Sequence, residues 1–142
     1  MRILDERLHA DPSRVVIRPF HLGWHTSAGI ARAAKLVADV AALDDDEVEE
    51  EYARVLHDFS ERHWQTEQVF EQRYKDVRAT LWIDDAAMSP LRKRLIGAYF
   101  CHEYTYAAAA LMNPSIVPHP DQSGMRDGAV RFVMSLRAVG EG

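Results

Sequence analysis

A single cysteine, Cys101, leaves this 142-residue chain without a partner for an intrachain disulfide, and so argues against a small cross-linked secreted scaffold. Basic charge is also short: Lys and Arg total 17 against 22 Asp and Glu, for a formal net charge of -5. The basic residues are scattered, with no Lys/Arg stripe interleaved by aromatics, so no nucleic-acid partner is expected. No apolar run approaches a membrane span, and the alanine-rich stretch Ala107–Leu111 is far too short for one. The opening residues, Met1 to Arg7, are charged and lack the apolar core of a signal peptide. A cytoplasmic protein with no membrane partner is expected. Internal repeats, low-complexity tracts, a Gly-rich phosphate loop, a Walker sequence and a Gly-x-Ser-x-Gly elbow are all missing.

What is present suits a folded domain. Hydrophobic residues make up 47% and charged residues 27%, enough apolar material for a core at a single domain's length. Residues 13–20 are β-branched and flanked by Pro12 and Pro19, which predicts a short extended segment. Ile30, Ala33, Ala34, Val37 and Ala41 then follow helical spacing, predicting a helix over about residues 28–43, with Thr26 or Ser27 as N-cap. Asp44 and Glu47 have the spacing of a capping box. After them Val48, Tyr52, Val55, Leu56 and Phe59 form an apolar stripe, while Glu49, Glu50, Arg54, Asp58 and Glu61 make a solvated opposite face. A third helix is predicted over about residues 65–81. Ser89-Pro90 marks a fourth start, with Leu91, Leu95, Tyr99, His102 and Tyr106 running down one face to Leu111, before Pro114 forbids continuation. Phe132–Val139 reads as a strand, with Met134, Leu136 and Ala138 on one face and Val133, Ser135, Arg137 and Val139 on the other.

Most chemical constellations fail on spacing. His102-Glu103 resembles the start of a zinc-protease His-Glu-x-x-His helix, but Tyr106 occupies the second ligand position. Glu6-x-x-His9 has di-iron ligand spacing, yet no second such pair exists to complete a bundle site. His57 and His63, six apart, fall on different faces of a helix. Cys101, between Phe100 and His102, reads as a small buried hydrophobe rather than a reactive thiol. Asp121, in Pro120-Asp121-Gln122-Ser123-Gly124, reads as a turn former before a catalytic acid. Trp24, Trp64 and Trp82 could stack on sugar rings, but aromatics at helix ends more often close a core. Arg137 is different in kind: a guanidinium on a half-apolar strand requires an anion, a hydroxyl or a salt bridge.

The run Leu95–Phe100, Glu103-Tyr104, Ala107–Gly124 (with Asn113-Pro114-Ser115-Ile116-Val117-Pro118-His119-Pro120-Asp121-Gln122) and Arg131–Gly142 resembles glycoside hydrolase family 130. That is a family of β-mannoside phosphorylases and mannosidases whose longer members begin with a helical region. The likeness is specific over the last thirty residues and extends only weakly back to Arg14–Phe20. It implies a five-bladed β-propeller with the active site in its central depression, and inverting cleavage of a β-mannosidic bond. Phosphate attacks the anomeric carbon in the phosphorylases, and water attacks in the hydrolases. One Asp is the general acid, acting through a substrate hydroxyl in the phosphorylases, unlike the usual pair of carboxylates. The resemblance assigns Asn113 and Arg137 to the shell that hydrogen-bonds the mannose before the scissile bond, with Ser115 a weaker candidate. Asp121 does not match the acid; the resemblance puts that acid and the phosphate-binding groups beyond Gly142.

The expected fold is therefore mainly α: a helical N-terminal region over 1–112, a bundle of about four helices, then 113–142 as one or two β-strands of an incomplete five-bladed propeller. The expected function is that of the N-terminal part of an enzyme that phosphorolyses or hydrolyses β-mannosides, inactive alone. The alternative is a free-standing helical interaction or oligomerisation module without catalysis. The expected partners are a β-mannoside oligosaccharide and, through the helices, further copies of the chain. No metal and no cofactor is expected; inorganic phosphate would be a co-substrate if the reaction is phosphorolysis.

Overall fold

Three of the helix starts form as their capping chemistry dictates. In the computed structural model, which describes residues 7–141, the elements in chain order are β1 (Val15–Pro19), α1 (Ser27–Ala41), α2 (Asp45–Ser60), α3 (Thr66–Leu81), α4 (Pro90–Tyr99), β2 (Cys101–Pro118) and β3 (Phe132–Glu141). Thr26 caps α1 by accepting from the Gly29 amide at 3.0 Å. Asp44 and Glu47 make a reciprocal capping box on α2: Asp44 Oδ1 accepts from the Glu47 amide at 2.8 Å, and Glu47 Oε2 from the Asp44 amide at 2.9 Å. Ser89 caps α4, with Pro90 in its first turn. Helix α3 starts after Gln65 with no side-chain cap and stops at Trp82, whose backbone is left-handed at φ 55°.

The fold class corrects the expectation. Of the described residues 42% are helix and 24% strand, a mixed α/β fold with a three-stranded antiparallel sheet in the order β1-β2-β3, and not a helical bundle followed by the start of a propeller. The error lies at the fourth helix, which ends at Tyr99 rather than near Leu111. From Cys101 to Pro118 the chain is one long strand, so His102 and Tyr106 sit in the sheet and not on a helix face. Tyr104, Thr105 and Tyr106 are residue types that favour extended backbone, and a partner strand was available to satisfy it. Helical spacing alone does not separate such a stretch from a helix.

The chain divides into two compact units, Val16–Glu103 and Met1–Val15 with Tyr104–Gly142. In the first, α4 packs most closely on α3. Phe70, Phe100, Leu95, Ile96, Val48 and Val77 are completely buried there, each worth roughly 1.5–3 kcal/mol of transfer free energy. The close approach of α3 and α4 depends on Gly97: a Cβ added there would stand 1.9 Å from the Phe70 carbonyl oxygen. Trp24 closes this core as expected, edge-on to Phe100 at 5.9 Å.

The second unit is built on the antiparallel pairing of β2 and β3. Thr105 lies opposite Glu141, Ala110 opposite Val139, Met112 opposite Arg137 and Val117 opposite Val133. The ladder is irregular between Thr105 and Ala110 and again between Met112 and Ser115. The connection between the strands is held by its own polar groups: Gln122 bridges the carbonyls of His119 and Arg131 and accepts from the Arg131 amide.

Candidate functional site

Asn113 and Arg137, nominated 24 positions apart in sequence, are brought to neighbouring strands by the pairing of Met112 with Arg137. Asn113 lies inside the second ladder irregularity with φ 53°, a left-handed backbone that Asn tolerates better than most residues. Pro114 follows and removes a ladder donor, so the strand is locally released from regular pairing. Ser115 resumes the ladder opposite Ser135. Asn113, Ser115 and Arg137 are all exposed. Arg137 has no ion-pair partner among the described residues, so its guanidinium donors are uncommitted. The stretch carries an amide, a serine hydroxyl and a planar cation, groups able to hydrogen-bond hydroxyls.

Asp121 behaves as the turn former. Its Oδ1 accepts from the Ser123 amide at 2.8 Å and its Oδ2 from Arg131 at 3.2 Å, and these bonds hold its carboxyl below the usual carboxylate range. Burial pushes the Cys101 thiol up to about 11, with Arg73 pulling weakly the other way, and its Sγ donates to the Gly97 carbonyl. Cys101 is half-buried against the core, where a fully buried side chain was expected. His102, on β2, lies edge-on to Phe20, and its Nδ1 is buried with no hydrogen-bond partner. Glu6, half of the Glu-x-x-His spacing, lies outside the described residues, as does Gly142. Among the described residues no group of three or more His, Cys, Asp or Glu could hold a metal ion, and no helix is long and apolar enough to cross a membrane.

Two polar clusters escaped the sequence. His63 Nε2 meets Glu103 Oε1 at 2.7 Å, and Arg62 reaches both oxygens of the same carboxylate at 2.9 and 3.0 Å. Burial raises the Glu103 carboxyl, but the two donors outweigh it, and the net shift is downward. Tyr74, Arg78 and Lys93 converge on Asp85, with the Tyr74 hydroxyl at 2.9 Å and both cations at 3.2 Å. The Tyr74 hydroxyl donates first among the causes that hold Asp85 low, and burial and that bond together raise Tyr74. Neither cluster has a sequence signal, because their members stand forty residues apart in one case and are spread over two helices and a loop in the other.

Trp64 and Trp82 overturn the core-closing expectation. They are 89% and 91% exposed, while Trp24 alone of the three is packed inward. Comparison of the chain with protein-family models, with curated proteins and with solved structures gives no match.

Proposed function

We propose that this chain supplies sugar-binding groups to an enzyme that cleaves β-mannosides, by phosphorolysis or by hydrolysis. The observation that carries the reading is the register that sets Arg137 across from Met112, beside the left-handed Asn113. Asn113 offers both a donor and an acceptor, and Arg137 donates from a rigid fork, a set suited to adjacent sugar hydroxyls. Ser115 adds one hydroxyl on the same stretch. None of the described carboxylates is assigned as the acid. The purified 142-residue chain is accordingly expected to bind sugar without turning it over.

The test uses the gene product isolated from its source cells, with mannobiose as substrate, with and without inorganic phosphate. Its intact mass is measured in the same preparation. Asn113→Ala and Arg137→Ala are each expected to lower kcat/KM by roughly 10–100-fold, the loss of one strong hydrogen bond to substrate. Release of mannose 1-phosphate together with one mannose would assign phosphorolysis, and release of mannose alone, independent of phosphate, hydrolysis. Unchanged kcat/KM in both variants would remove the reading.

A second reading has its own support. The completely buried core of Val16–Glu103 and its capped helices suit a self-contained interaction module. A monodisperse oligomer of the 142-residue chain in light scattering, with no sugar binding, would favour it.

A further inference from the structure

An exposed tryptophan beside a polar hollow leaves the largest type of side chain in the protein uncovered. Trp64 stands at the turn between α2 and α3, on the rim of a cavity of about 520 Å³, within the range that small ligands fill. Around it are Gln65, Gln68, Glu67, Glu71 and Arg94, all from the Val16–Glu103 unit. Glu67 and Arg94 hold one another at 3.1 Å. The side chains of Gln65, Gln68 and Glu71 make no hydrogen bond or ion pair among the described residues, so two amides and a carboxylate remain uncommitted.

Charge selects the ligand class. Two carboxylates against one guanidinium leave an excess of negative charge, which disfavours phosphates and other anions. Arg94, fixed by Glu67, disfavours an organic cation, and besides the His63 imidazole, tied to Glu103, only the Trp64 ring is present to receive it. A peptide would require apolar pockets for its side chains, whereas the open indole offers one flat face. A neutral pyranose fits every term: its C–H face lies on the indole, and its rim of hydroxyls meets amides and carboxylates.

We infer that the Trp64 hollow is a saccharide-binding site, separate from Asn113 and Arg137 and standing whether or not those residues serve a β-mannoside enzyme. The experiment is proton–nitrogen NMR of the 142-residue chain, titrated separately with mannobiose, cellobiose and inorganic phosphate. Trp24, Trp64 and Trp82 give three indole signals, of which Trp82, equally exposed, is the internal control. The expected result is a saturable, millimolar shift of the Trp64 indole and the Gln65 and Gln68 side-chain amides with at least one disaccharide. Trp82 should not move. Trp64→Ala should weaken binding at least roughly tenfold, and being exposed it should leave the remaining spectrum in place. Gln68→Ala should weaken it less, and Asn113→Ala should leave the Trp64 response intact. No Trp64 shift with either disaccharide, equal shifts at Trp64 and Trp82, or a response to phosphate alone would overturn the inference.

Discussion

Glu103 shows how one carboxylate can tie distant residues without advertising itself in sequence. It lies 25% exposed under Arg62 and His63, and its folded pKa is held below the ordinary 4.5. A depressed acid stabilises the fold above its unfolded value, and that contribution is lost as pH falls through the lowered folded value. Glu103→Gln should therefore lower the thermal midpoint near neutrality and flatten its dependence on acidification through and below the ordinary glutamate value. Equal slopes for the two proteins would show that the pairing contributes nothing. Cys101 gives an independent check at the same scale. With its thiol raised from 9.0 to about 11, the thiolate fraction near neutrality falls about 100-fold. Alkylation of the native chain near neutrality should be markedly slower than that of the urea-unfolded chain, the lost thiolate fraction outweighing the greater nucleophilicity of a more basic thiolate.

Helices α3 and α4 meet where no side chain fits. The Gly97 Cα faces the Phe70 carbonyl, and the obstruction to a Cβ is backbone, which cannot rotate away. Gly97→Ala should cost at least about 1–3 kcal/mol, read as a lower urea midpoint with an unchanged slope. An unperturbed midpoint would mean that the two helices part easily. The periodicity of α4 and the start of β2 illustrates an opposite lesson at this scale. Leu91, Leu95 and Tyr99 do lie on one helix, but His102 and Tyr106 continue the same spacing in a strand. Segments of that kind are decided by available partners: β3 supplies a ladder from Thr105 onward, and the Phe100 carbonyl already accepts from the Phe20 amide at 2.8 Å.

The two units differ in how much apolar surface they hide. The Val16–Glu103 unit owns all but one of the most deeply buried side chains, the exception being Thr105. Along β2 and β3, by contrast, Ile116, Val117, Phe132, Val133 and Met134 are each at least 42% exposed. A two-stranded ribbon with little buried surface opens at low free-energy cost. Amide hydrogen exchange should accordingly be slowest for Phe70, Val77, Leu95 and Ile96 and markedly faster for Phe132 to Arg137. Equal protection in both groups would show that the ribbon is covered in solution. The same exposed residues make an edge prone to association, so Val133→Lys should raise solubility without altering the thermal midpoint of the helical unit.

The helix starts at Thr26, Asp44 and Ser89, the stripe Val48–Phe59, the β3 strand and the turn at Asp121 followed from local chemistry, because caps, spacing and turn residues act within a few positions. Resemblance nominated Asn113 and Arg137, but only pairing of β2 with β3 set them on adjacent strands. The end of α4 at Tyr99, the exposure of Trp64 and Trp82, and the meeting of His63 with Glu103 were settled by tertiary structure. Each depends on groups far apart in the chain competing for burial or hydrogen bonds, and that competition has no signature at short range.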